Sequence, residues 1–151
     1  MAIRDTTKKP FIEDRNSNIF IGIDYPFRKS DSVEGYFTST STTIKAVKNN
    51  IKMLLNTHKG ERLMQPNLGT GLRRFLFEQF TEDTVIGVQN EIIDTFKRWL
   101  PFVEIREIDV SMDELSAIGK NKLTISILFN IMRDPNTLES VEVEIGETSA
   151  L

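Results

Sequence analysis

The residues of this chain best equipped for chemistry lie together in "HKGERLMQPNLGTGL", where His58, the sole histidine, precedes Glu61, Arg62 and a Gly69-Thr70-Gly71 triplet. Three chemistries suit such a run. A histidine near a carboxylate can act as a general base. A glycine pair opening a helix can offer N–H groups to an anion. Glycines at both ends of a charged segment can also turn the chain from one packed element into the next.

The catalytic templates fail for want of partners. With no cysteine in the chain, thiol nucleophiles, disulfides and thiolate metal sites are excluded, and synthesis in a reducing cytoplasm is expected. No serine stands in a Gly-x-Ser-x-Gly elbow. A single histidine leaves only carboxylate-rich metal sites, and no loop has calcium-binding spacing. The Gly-Thr-Gly lacks the Gly-Lys-Ser/Thr of a phosphate loop and has no strand before it. We therefore expect no catalytic residue, no metal and no cofactor. Glu61, Glu78, Glu82 and Asp83 are the acidic groups from which a glycosidase pair would have to come, and a peptidoglycan hydrolase stays as the alternative.

The remaining reading is a shaped corner. Gly60 is placed for a left-handed exit from a helix, with His58 as a C-terminal cap; Pro66 keeps the next segment extended, and Gly69 and Gly71 flank a turn. Glu61 and Arg62 then either brace the corner or face a neighbouring protein.

Hydrophobic periodicity supplies the elements around this corner. Ile44, Val47, Ile51, Leu54 and Leu55 form a helical stripe, with Lys45, Lys48 and Lys52 along an adjacent flank. "LRRFLFEQF" predicts a short helix with Leu72, Phe75, Leu76 and Phe80 inward. A Thr81 cap opens a longer one carrying Val85, Val88, Ile92, Phe96 and Trp99, with Glu82 and Asp83 in the first turn and Lys97 and Arg98 in the last, matching the helix dipole. Pro101 ends it.

Beyond Pro101 the period is two. "VEIREIDVSM" slips phase between Ile105 and Ile108, which predicts a bulge. "KLTISILFNIM" puts Leu123, Ile125, Ile127, Phe129 and Ile131 on one face, "RDPN" reads as a turn, and "SVEVEIGE" sets Val141, Val143 and Ile145 against Glu142 and Glu144. The fold class is α+β: three helices packed on a small, mainly antiparallel sheet. Residues 1–40 read as an extended N-terminal arm, in which Ile19, Ile21 and Ile23 alternate as a short strand ended by Pro26. Residues 41–151 read as one domain.

Composition bounds the partners. The 151 residues, 39% hydrophobic and 27% charged, are those of an ordinary folded domain. Net charge is -3, with seven basic and two acidic side chains over 41–80 but six and fourteen over 81–151. A nucleic-acid binder usually carries a basic surplus over its whole surface, so no nucleic acid is expected. No apolar run reaches the roughly 18 residues of a membrane span, so no membrane is expected either, and the N-terminus lacks the apolar core of a signal peptide.

A helix ending in "LLNTHKGERLMQPNLGTGLRRFLFE", a long helix closed by Pro101 and a β-rich C-terminus together resemble the baseplate wedge and sheath-initiator family of contractile-tailed phages, also found in type VI secretion baseplates. The densest match is Gly60, Glu61, Arg62, Pro66, Gly69, Leu72, Leu76 and Phe77. Members often carry Glu-Pro-Arg after the long helix, a motif associated with packing into the wedge; Leu100-Pro101-Phe102 stands there instead, so apolar packing is expected to replace the charged contacts. The resemblance implies a structural protein of the virion tail baseplate, assembled in the host cytoplasm, that offers a sheet to the first ring of tail sheath subunits while the arm binds other baseplate wedge proteins. Val141, Val143 and Ile145 would set the register of that pairing.

Overall fold

The computed structural model describes residues 19–30, 36–113, 122–132 and 134–146. The chain divides into two compact units, Met1–Asn50 and Ile51–Leu151.

In the first unit a two-stranded antiparallel pair joins β1 (Gly22–Ile23) to β2 (Ser39–Thr40). The strand expected from the Ile19, Ile21 and Ile23 alternation is thus only two residues long, and all three isoleucines are exposed. Asp24 is the polar anchor here. Its carboxylate accepts from Lys45 Nζ at 2.9 Å and Asn49 Nδ2 at 3.1 Å, and the Lys45 bond is the main cause holding its carboxyl below the ordinary range.

Helix α1 runs Thr43–Asn56. Asn56 Nδ2 and Thr57 Oγ1 donate to the carbonyls of Lys52 and Met53, so these two side chains, rather than the expected His58, close its last turn. A 3₁₀ helix, Leu72–Phe77, buries Leu72, Phe75 and Leu76. It stops before Phe80, which is 36% exposed rather than inward. Glu78 is already extended (φ -91°, ψ 153°), so Phe80 lies beyond the helix and off its buried face.

Helix α2 (Glu82–Trp99) begins where the cap was expected, with Thr84 N–H donating to Thr81 Oγ1, and buries Val88, Ile92 and Phe96, while Val85 and Trp99 are half-buried. Leu100 N–H closes on the Phe96 carbonyl, and a turn from Leu100 to Val103 has Pro101 at its second position.

Strands β3 (Val103–Asp113), β4 (Lys122–Ile131) and β5 (Asp134–Gly146) form an antiparallel sheet in the order β3-β4-β5. The inward set of β4, from Leu123 to Ile131, is buried as the alternation required. Opposite it in register stand Ile145, Val143 and Val141 of β5, also buried. The β3 phase slip is a real bulge: Ile105 faces Phe129 and Glu107 faces Leu128, leaving Arg106 as the extra residue. The turn expected at "RDPN" is tighter than its composition suggested, because β5 already starts at Asp134; Arg133 and the residues 1–18 of the arm lie outside the described residues.

Helix α2 meets the 3₁₀ helix at Gly87, where an added Cβ would lie 3.0 Å from the Phe75 ring. The ring has little room to retreat, since it is buried and the Arg74 guanidinium lies 4.6 Å from its centroid. Gly to Ala inside a helix normally stabilises by about 1 kcal/mol. Gly87→Ala is expected to be net destabilising instead, and to become stabilising in a Phe75→Leu background, as denaturant titration of the four variants would read.

Candidate functional site

The corner after α1 is a closed loop whose ends are stitched together. Thr70 N–H donates to the Thr57 carbonyl at 2.9 Å, Thr70 Oγ1 to the Leu55 carbonyl at 2.9 Å, and Lys59 N–H to the Thr70 carbonyl at 3.2 Å. Gly69 is what lets the two ends approach so closely. Its φ is +108°, and a Cβ there would fall 2.3 Å from the Thr57 carbonyl oxygen.

Gly60 also has positive φ, at 90°, as the third residue of a turn closed by Glu61 N–H on the His58 carbonyl. Pro66, expected to hold an extended segment, instead occupies the second position of a further turn, from Gln65 to Leu68, and its carbonyl accepts from Gly60 N–H at 2.8 Å. Glu61 braces the loop internally, its carboxylate accepting from His58 N–H at 2.9 Å. Arg62 does not: it is exposed and forms no ion pair among the described residues. Beside it the tip carries Leu63 and Met64, 96% and 94% exposed.

One carboxylate that sequence reasoning missed holds this loop to α2. Glu91, its side chain 15% exposed, accepts from Lys59 Nζ and from Gly71 N–H at 3.1 Å, with Arg74 Nη2 3.8 Å away. Gly71 therefore serves as a donor, without the positive φ of Gly60 and Gly69. Burial is the largest influence on Glu91 and opposes its ionised form, yet Lys59, the Gly71 N–H and Arg74 together hold the carboxyl below the ordinary glutamate range. A helix-interior glutamate reads as a solvated surface charge, and no sequence signal marks partners 20 and 32 residues away.

Among the described residues the two outer strands of the sheet, β3 and β5, pair on one side only, and they differ. β5 pairs regularly with β4 from Glu139 to Gly146, whereas a register shift separates Glu139 from Asp134, which pairs with Ile131; among the described residues no further strand pairs with its other side. Val141, Val143 and Ile145 all point into the protein's own core, so they fix register against β4, while Glu142 and Glu144 are exposed. β3 is bent at the Arg106 bulge. There Arg106 Nε donates to Asn130 Oδ1 at 3.1 Å, and Arg106 Nη2 and Asn130 Nδ2 both donate to Glu104 Oε2, at 3.0 and 3.1 Å. This triangle satisfies Asn130, a fully buried amide in an otherwise apolar part of β4.

Beside the bulge a groove of about 540 Å³ opens between α2 and β3, its apolar lining including Ile93, Phe96, Val103, Ile105 and Ile108. Pro101 belongs to its rim. Of the other residues in that helix-end motif, Leu100 is buried and Phe102 is 41% exposed, with the Phe102 carbonyl accepting from Met132 N–H at 3.0 Å. The corner and the end of β5 meet: Glu144, Ile145 and Gly146 line a small cavity of about 90 Å³ with Thr57, His58, Thr70 and Arg73, and neither it nor the groove is lined by Glu61, Glu78, Glu82 or Asp83. Among the described residues no group of three or more His, Asp or Glu could hold a metal ion, and no helix is long and apolar enough to cross a membrane.

Residues 41–136 match the family described as baseplate wedge protein gp25. Baseplate wedge protein gp25 of Enterobacteria phage T4 is 22% identical over 111 residues, covering 74% of this chain and 81% of the phage protein. A crystal structure from Geobacter sulfurreducens, provisionally described as a tail lysozyme, is 27% identical with a TM-score of 0.61, covering 74% of this chain and 97% of that one. A chain of the anti-feeding prophage baseplate shares the fold at 24% identity and a TM-score of 0.59, covering 73% of this chain and 83% of its own.

The Glu91 cluster has a pH signature. A carboxyl depressed in the folded state stabilises fully above its unfolded value of 4.5, and that contribution is lost as pH falls through the lower folded value. Glu91→Gln is expected to cost about 1–2 kcal/mol at neutral pH, the solvent-facing Lys59 limiting the loss. Denaturant midpoints should show the gap between wild type and variant closing as pH falls from about 6 to about 3.

Proposed function

This chain belongs to the baseplate wedge protein gp25 family, and from that premise we propose that it is a structural component of a contractile tail whose β5 edge seeds the sheath. The observation that carries the reading is the asymmetry of the sheet. From Glu139 to Gly146 β5 offers a regular edge backed by a packed core, its own register shift falling before Glu139, whereas the bulge on β3 lies within that strand at Arg106. An extended segment from the first ring of sheath subunits would add to β5 through backbone hydrogen bonds. In this reading Val141, Val143 and Ile145 hold the template flat and in register from below, and the sheath segment meets backbone, with Glu142 and Glu144 beside it.

The aromatic side chains of the first unit suit protein contacts of another kind. Phe27, Tyr36 and Phe37 are exposed, and their rings pack on one another at centroid distances of 5.0 to 6.1 Å. We assign this surface to other baseplate wedge proteins, with Leu100, Pro101 and Phe102 supplying an apolar turn in place of the charged one. Neither nucleic acid nor membrane has a role in the reading.

A hydrolase is disfavoured on chemical grounds. A glycosidase acid needs a carboxyl held protonated near neutrality, its proton affinity raised by burial. The two described carboxyls clearly displaced from their ordinary values, Asp24 and Glu91, both move downward. Glu61, the acidic member of the corner, is committed to the His58 N–H.

N–H groups along a strand point alternately to its two sides. Of Glu142→Pro and Val143→Pro, one therefore removes a bond to β4 and the other removes only an outward donor. The variant that keeps a cooperative unfolding transition is expected to enter baseplates yet fail to nucleate sheath in electron micrographs. Normal sheath growth from baseplates carrying that folded variant would overturn the assignment of β5.

A further inference from the structure

The outer side of β5 changes character along its regular stretch. On the solvent face Glu142 pairs in register with Ser126, and the next acid in that row, Asp109 of β3, lies two strands away, roughly 10 Å. Glu142 is exposed and forms no ion pair among the described residues. Its neighbour on the same face, Glu144, meets Lys122 Nζ at 2.7 Å, a lysine reaching it diagonally from the position paired with Gly146. Cross-strand pairing from β4 thus neutralises one of the two acids, and the other is left for a strand on the outer side.

At the Gly146 end β5 meets the corner. The cavity of about 90 Å³ there is lined by Glu144, Ile145 and Gly146, three successive residues of β5, and by no residue of β4, so it lies along the outer side of the strand. Its volume is about three times a water's share of the liquid, room for a side chain of a few heavy atoms. The walls carry both signs of charge, Glu144 and Arg73, with His58 the remaining titratable group. Thr57 and Thr70 donate their hydroxyl protons within the corner and keep oxygen lone pairs to accept, while the Arg73 guanidinium can only donate. A neutral group that both donates and accepts suits such walls better than either ion.

Glu142 and Ile145 are three residues apart on opposite faces, one toward solvent and the other toward the core. A strand laid alongside has the same period of two, so its residues beside them are likewise three apart and opposite in face. We propose, resting on β5 as the sheath template, that Glu142 and the corner cavity select the incoming segment. That segment carries a lysine or arginine beside Glu142 and, three residues away, a serine, threonine or asparagine whose side chain enters the cavity beside Ile145. The two points fix register, because a slip of one residue turns the base toward the core and the small side chain into solvent. A second β5 in its most overlapped register, with its core on the same side, would set Glu142 against an acid of its own kind, so the edge disfavours a copy of itself.

Short acetylated, amidated peptides of alternating valine and threonine, with a central lysine on the outer face and serine three residues to each side of it, serve as the probe. Backbone amide shifts of the full chain are the readout, and they are expected along Glu139–Gly146. Glutamate in place of the peptide's lysine should weaken binding several-fold, and Glu142→Lys should reverse that preference. Phenylalanine in place of the serines should also weaken it several-fold, and Arg73→Ala, which opens the cavity, should restore it. Both positions are exposed, and unchanged unfolding midpoints would confirm intact folding. Peptides that bind along β5 equally well whatever their charge, or whatever side chain faces the cavity, overturn the selection and leave the template edge standing. An absence of shifts along β5 with every peptide overturns the template and the selection together. Shifts along Glu139–Gly146 that grow with the concentration of the chain alone overturn the selection by giving the edge to a second copy.

Discussion

The second unit depends on one carboxylate. Glu91 lies in the middle of α2, and its two oxygens collect a lysine from the start of the corner loop, a backbone N–H from its end and an arginine from the 3₁₀ helix. Half-burying a negative charge is costly unless every lone pair is met. Here the cost is offset only when loop, 3₁₀ helix and α2 are all in place. The carboxylate thus converts three local structures into one cooperative arrangement, and the helix that carries it also anchors to the sheet, through Gln89 Nε2 on the Ile108 carbonyl at 3.1 Å.

Around that node the work divides between apolar and polar contacts. The apolar face of β4, flanked by β5, supplies the burial that makes the unit stable. The polar contacts decide geometry. Gly69 against Thr57 sets how tightly the loop closes, and the Glu104, Arg106 and Asn130 triangle sets where β3 bends. Neither adds much core; both determine which surfaces remain available to other proteins.

Much of this was legible in the sequence because it rests on local rules. The Thr81 cap, the charges at the ends of α2, the alternation of β4 and the slip that becomes a bulge all follow from spacing within one element. Gly60 and Gly69 were identifiable as corner residues, since only a turn explains glycines so placed. What escaped needed tertiary neighbours. Glu91 and Asn130 look like surface polar groups until the chain brings Lys59 and Arg106 beside them. Phe80 was misplaced because the short helix was carried past its end at Phe77, and Asp134 and Pro66 because turn-prone composition fixes the presence of a bend better than its limits.

The bulge on β3 also bears on solubility. A sheet with two regular edges can stack copy upon copy, strand to strand, into a fibril. Among the described residues this sheet has one such regular stretch, Glu139 to Gly146 of β5, and β3 is bent out of line at Arg106. If two β5 strands met in concentrated solution, the pairing would consume both regular edges and stop at a closed pair. Such a stop keeps the chain from propagating its own sheet into an amyloid-like ribbon.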